Sequence, residues 1–234
     1  DEITQTLEKK FGSWNADMSS PLKDLSNVEL PDTRIVYLID KPNAQQSYIV
    51  AGQLLPPTAT AEEIELNYMN YAIGGSFTSR LNMNLREDKS WSYGVRTRQG
   101  DAKGQRARLV TAPVQTDKTS ESMAEIVKEY SDYLTTNPIT EDELTKGKAS
   151  KTLKLPGQFE TLGALKGGVS NIVTYNRDLD YLNQLPILLD QPSLAQIQAK
   201  AQKYIKPNQW TWLIVGDLSK IEEPIRALNL GEIR

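Results

Sequence analysis

Residues 74–95, GGSFTSRLNMNLREDKSWSYGV, decide how the chain is read. Gly74 and Gly75 end an apolar helix that a capping box, Thr60 with Glu63, opens. A second helix is predicted over about 76–87, with Phe77, Leu81 and Leu85 at i, i+4 spacing, which leaves Arg86 beside the apolar stripe near its last turn. The chain then turns through DKS into a strand from Trp91 to Gly100. Alternation along that strand puts Tyr93, Val95, Thr97 and Gln99 on one face, and Ser92, Gly94, Arg96 and Arg98 on the other. Arg96 and Arg98 are thus expected to point away from Tyr93. The spacing from Arg86 to Tyr93 lets a cation and a phenol meet at one spot. A guanidinium offers five donors at any pH and a tyrosine hydroxyl donates or accepts, so the pair suits a carbonyl oxygen or a developing oxyanion.

Outward from this stretch, the pattern is one of blocks. Residues 2–11 read as a short helix with Ile3, Leu7 and Phe11 on one face and Gly12 as its stop; 13–32, with Pro21 and Pro31, carry no periodicity and read as a linker. Strands are predicted at Arg34–Asp40 and Ser47–Leu55, joined as a hairpin by KPNAQQ. A strand at Arg106–Gln115 pairs back on the one carrying Tyr93. Helices follow at about 118–136, from a capping box at Thr140 and Glu143 to about Leu155, on toward Val173, over 179–189 around Pro186, and from a box at Ser193 and Gln196 to Ile205. The apolar run Trp210–Val215 is a buried-strand candidate and 221–228 a closing helix. Blocked rather than alternating elements argue for an α+β fold, a mostly antiparallel sheet with helices packed on one face. The domain organisation expected is 1–32 as the end of a preceding domain plus linker, and 33–234 as a single α+β domain.

Composition narrows the chemistry. The 234 residues are 38% hydrophobic and 24% charged, enough for a substantial core, and no apolar run approaches the ~20 residues of a spanning helix. With a formal net charge of −3 there is no basic field to draw nucleic acid or anionic lipid, so neither nucleic acid nor membrane is an expected partner. The chain contains no His and no Cys. A Ser-His-Asp or Cys-His nucleophile, a histidine base and a zinc site of the usual nitrogen or sulfur type are therefore out of reach. Carboxylate pairs, Ser-Lys arrangements, an oxygen-held Mg²⁺ or Ca²⁺, or assistance to an active site borne elsewhere stay open.

The run G-G-x-x-x-S-R-L, then L-R-E, then S-Y-G-V resembles the C-terminal domain of the insulinase/pitrilysin family of inverted-motif zinc metallopeptidases, which includes mitochondrial processing peptidase. The matching residues are Gly74, Gly75, Ser79, Arg80, Leu81, Leu85, Arg86, Glu87, Ser92, Tyr93 and Gly94. The resemblance implies that the catalytic zinc sits on another domain or subunit, on an H-x-x-E-H helix, and that this domain faces it across a cavity. It assigns Arg86 and Tyr93 to holding the substrate backbone and stabilising the tetrahedral intermediate, with Arg80 and Ser92 as further substrate-binding candidates and no metal ligand in this chain. It makes residues 2–11 the close of the preceding domain, a peptide the substrate, and the periplasm the favoured compartment. The isolated domain is expected to fold and be inactive. A non-catalytic assembly subunit of the same fold is the alternative, and a stand-alone small-molecule binder a third reading that no motif announces.

Overall fold

The computed structural model describes residues 1–15 and 28–234. Most of the expected linker, 16–27, lies outside the described residues. The first helix, α1 (Glu2–Phe11), buries none of its residues. Six strands form one sheet: β1 (Ile35–Asp40), β2 (Gln46–Leu55), β3 (Arg96–Gln99), β4 (Arg106–Gln115), β5 (Thr211–Gly216) and β6 (Glu232–Ile233), in the order β3-β4-β2-β5-β1-β6. The β2–β4, β2–β5 and β3–β4 pairings are antiparallel, and β1 runs parallel to β5 and β6. The α+β architecture with a mostly antiparallel sheet holds.

The expected β1–β2 hairpin does not form, because β5 inserts between the two strands. Its sequence TWLIVG is almost wholly apolar, and the central place with a neighbour on each edge is where such a run loses contact with water. The turn after β1 is reshaped to allow it: Lys41 donates its amide to Gly216 and Asn43 takes φ 59°, a left-handed conformation that asparagine tolerates.

The register defines two unlike faces. One row across the sheet reads Thr97, Val110, Ala51, Trp212 and Val36, all buried under helices. The helices that follow α1 are α2 (Glu63–Asn70), α3 (Arg80–Asn82), α4 (Thr119–Leu134), α5 (Glu141–Thr152), α6 (Leu162–Tyr175), α7 (Tyr181–Asp190), α8 (Leu194–Tyr204) and α9 (Leu218–Ala227), of which α2, α4 and α9 lie against the strands. Leu66, Met69, Ile73, Leu81, Leu85, Met123, Ile126 and Ile197 supply the helical side of the core. The neighbouring row, Arg96, Thr111, Val50, Leu213 and Tyr37, belongs to the opposite face and is half-buried or exposed. Capping boxes at Thr140–Glu143 and Ser193–Gln196 close as predicted. The one at Thr60 does not: Glu63 is taken by both guanidinium nitrogens of Arg177, at 2.8 and 2.9 Å, and by the Ala59 amide, and the Thr60 hydroxyl is left without a partner.

Candidate functional site

The site is built where the two central helical segments meet β3. After α2 the chain widens into a π-helical turn over Tyr71–Gly75, and after α3 into another over Met83–Asp88. Such turns are rare and concentrate at functional sites. The double glycine does more than end the helix. A Cβ on Gly74 would stand 2.5 Å from Thr97 Cγ2 and 2.8 Å from its hydroxyl, so the bare backbone lets the end of the first π turn lie directly against β3. The second helix also starts later than predicted. Ser79 is its extended N-cap residue, and Phe77 stays outside the helix and largely exposed, while Leu81 and Leu85 are buried as expected.

Arg86 occupies the second π turn. Its guanidinium carbon stacks 4.5 Å from the centre of the Phe77 ring, which gives this exposed aromatic side chain a partner. Nη1 is buried 3.1 Å from Glu87 Oε1 without forming a hydrogen bond, while the side chain as a whole stays partly exposed. The chain then reverses through Ser90, in the left-handed region at φ 56°, and returns beside the helix it has left, with the amides of Trp91 and Ser92 both donating to the Leu85 carbonyl.

Tyr93 is placed by a broken strand. In the β3–β4 register Gly94 would fall opposite Pro113, which has no N–H to donate. The ladder stops at Arg96, and Ser92 instead bridges Val114, one residue out of register. The Ser92 hydroxyl donates to the Pro113 carbonyl at 2.6 Å and accepts from the Gly94 amide at 3.1 Å, closing a tight turn with Tyr93 at its tip. Tyr93 is 88% exposed as a result. The predicted strand from Trp91 is thus shortened, and the face assignment fails with it: Val95 and Thr97 are buried, whereas Tyr93, Arg96 and Arg98 share the solvent side and line one depression. Asn82, which the sequence reading passed over, ties the parts together. Its amide donates to the Phe77 carbonyl at 2.7 Å and its oxygen accepts from the Val95 amide at 3.0 Å. A polar residue directly beside the buried Leu81 was the available signal.

Two adjoining depressions, of about 400 and 460 Å³, have Arg86 and Tyr93 as a common wall. The structure therefore brings these two predicted residues together, with Ser92 lining the second depression and holding the turn. Arg80 does not join them. Its Nε and Nη2 meet the two oxygens of Glu143 at 2.6 and 2.7 Å, Nη2 and Nη1 donate to the carbonyls of Pro138 and Asn137, and the guanidinium lies 5.0 Å from the Tyr133 ring centre. Burial works against its charge, but the Glu143 carboxylate outweighs this and raises the Arg80 pKa. Every nitrogen of that side chain is occupied in a structural tie between α3 and α5.

Comparison with known proteins agrees with this architecture. The chain matches the family described as the peptidase M16 inactive domain over residues 1–151. No curated protein matches it. Among solved structures, a protease from Helicobacter pylori superposes with a TM-score of 0.79 at 18% identity, over 92% of this chain and 52% of that one. A peptidase M16 inactive domain from Pseudomonas fluorescens gives 0.75 at 18% identity, covering 83% and 46%. The periplasmic protease PqqL from Escherichia coli gives 0.72 at 17%, covering 92% and 24%. At these identities the likeness is one of fold, and the chain spans about half the length of the first two structures and about a quarter of the third. With the family match extending over residues 1–151 of 234, the chain belongs to the peptidase M16 inactive-domain family.

Proposed function

We propose that this chain is the substrate-facing, non-metal part of a zinc metallopeptidase that hydrolyses peptides, lending Arg86 and Tyr93 to an active site on another domain or subunit. One observation carries the reading: both residues border the same two depressions, Tyr93 is almost fully exposed and the Arg86 side chain about one-third exposed, and neither side chain donates a hydrogen bond among the described residues. Zinc does not fit this chain. It has no His or Cys, and the described residues contain no cluster of three or more carboxylates that could hold a metal. The metal's ligands are accordingly assigned to an H-x-x-E-H partner, and what this chain contributes is binding and charge stabilisation. The Arg86 fork holds the substrate backbone through carbonyl oxygens, and the Tyr93 hydroxyl donates to the oxyanion that develops as the carbonyl is attacked. Ser92 and Asn82 are positioning residues, because they fix the turn and the strand start between which Tyr93 stands. The α1 helix, with no buried residue, serves as the close of the preceding domain.

One donor aimed at such an oxyanion is worth about 2.7–4 kcal/mol, or roughly 10²–10³ in kcat. Tyr93→Phe in the assembled peptidase removes only the hydroxyl, and kcat is expected to fall by about that factor. A kcat unchanged from the unsubstituted enzyme removes Tyr93 from the mechanism and moves the reading to the alternative, a non-catalytic assembly subunit of this fold.

A further inference from the structure

The wall formed by Arg86 and Tyr93 divides two chemically unlike spaces. On one side the charged lining residues are Arg86, Arg96 and Arg98, with no carboxylate among the lining. On the other the only charged residues are Arg86 and Glu87, which offset each other, and Gln45, Gln46 and Gln115 supply most of the remaining polar surface. Arg96 and Arg98 stand two residues apart on β3, so they project from the same sheet face with a separation of about 7 Å along the strand. Their directly opposed neighbours, Thr111 and Leu109, are neutral, and neither arginine enters an ion pair among the described residues. Exposed arginines are ordinary one at a time. Two without an ion pair, lining one concavity beside a third whose only partner is Glu87, is an arrangement that an anion relieves.

The chemistry matches a carboxylate. Guanidinium forks bind carboxylates in a bidentate manner, and the Phe77 ring under Arg86 supplies an apolar surface for the methylenes of an acidic side chain. We infer that the depression bounded by Arg96 and Arg98 is a specificity subsite for a carboxylate of the bound peptide, with Arg96 and Arg98 as its specificity-determining residues. Its position next to the scissile bond rests on the clamp reading above; the carboxylate binding itself does not. Because the second depression is close to neutral, the preference is one-sided: an acidic residue is favoured on one side of the clamped bond and indifferent on the other.

The test uses blocked octapeptides, acetylated and amidated, that carry one Glu in a neutral background, their Gln twins, and the Gln twins with a free C-terminal carboxylate. Isothermal titration of this chain is expected to show the Glu peptide binding about tenfold tighter than its Gln twin, the scale of one or two charge-assisted contacts at a partly exposed site. Arg96→Gln with Arg98→Gln levels the two, and Arg96→Glu with Arg98→Glu turns the preference toward a Lys peptide. Tighter binding of the free-carboxylate twin alone identifies the chain terminus as the source of the carboxylate. Equal binding of all three peptides by the unsubstituted chain, or a preference that survives the Arg96→Gln, Arg98→Gln pair, overturns the inference. If the chain alone binds no peptide, the same ratio is read as kcat/KM in the assembled peptidase, where a Glu-to-Gln ratio near one overturns it. A carboxylate preference together with a kcat indifferent to Tyr93→Phe keeps the subsite and rejects the clamp, so the two proposals fail separately.

Discussion

Arg80 and Arg86 stand six residues apart on one helical stretch and are treated in opposite ways. Part of the intervening stretch is α-helical and part lies in the π turn, and over that span the two side chains come to face different neighbours. Arg80 turns toward α5, where a carboxylate and two carbonyls use up its donors at 12% side-chain exposure. Arg86 turns toward β3, is 34% exposed, stacks on a phenylalanine and keeps part of its fork unspent. The contrast shows how to tell a structural arginine from a working one. The first has its hydrogen bonds completed by the fold, and the second is held in place by stacking while its donors wait for something the fold does not supply.

The largest effect that would sharpen this contrast is Arg86→Gln. In the assembled peptidase kcat is expected to fall by about 10²–10³, the loss typical of one preorganised electrostatic donor, while the melting temperature of this chain stays nearly constant because no internal hydrogen bond is removed. A large drop in thermal stability would show Arg86 to be a second Arg80. The mirror experiment is Arg80→Gln. It strands Glu143 partly buried, and urea unfolding should show a loss of about 2–3 kcal/mol, toward the lower end for a buried pair because the site keeps some water. The folded fraction should keep its full kcat. A selective loss of kcat at unchanged stability would return Arg80 to the substrate-binding residues.

A smaller effect tests the backbone contact that sets the first π turn, one wall of the depression beside Arg86, against β3. Gly74→Ala places a methyl group 2.5 Å from Thr97 Cγ2, and the local overpacking should cost about 1–2 kcal/mol in urea unfolding. The neutral outcome would mean that the π turn shifts easily and that Gly74 is not what brings the two elements together.

How much of this was legible follows from how local each determinant is. The capping boxes at Thr140 and Ser193 were readable because all their partners lie within four residues. The box at Thr60 has the same residue pattern and failed because Arg177, 114 positions downstream, claims Glu63 with two charge-assisted hydrogen bonds. β5 was readable as a buried strand from its composition, but its place between β1 and β2 depends on the assembled sheet. At the site, the motif around Arg86 and Tyr93 identified the pair that the fold brings to one wall. The cationic side of that wall was misread, since simple alternation put Arg96 and Arg98 opposite Tyr93. Pro113 was visible in the sequence, yet only the β3–β4 register shows that its missing N–H falls where Gly94 would have paired, and that the Ser92 turn then swings Tyr93 to the arginines' side.

The finest test of the contrast is one of charge alone, through pH. Burial pushes the Glu143 carboxyl upward, but the Arg80 fork and the Thr140 cap more than offset that and hold its pKa below the ordinary carboxylate value. A group whose folded pKa is depressed binds fewer protons in the folded than in the unfolded state between the two values, so its stabilisation is complete above the unfolded value of about 4.3 and is lost as pH falls through the folded one. Glu143→Gln preserves the capping geometry, since glutamine also closes such a box, and removes only the charge. The difference in unfolding free energy between the parent chain and this variant should therefore be about 1 kcal/mol and constant from pH 6 to 8, then shrink toward zero as the pH falls below about 4. Glu87 meets Arg86 only as a partly exposed pair without a hydrogen bond, so Glu87→Gln at neutral pH should change the unfolding free energy by less than about 0.5 kcal/mol. If the Glu143 difference instead stays flat into acid, the Arg80 tie is held by its carbonyl contacts and not by charge, and the two arginines differ less than their surroundings imply.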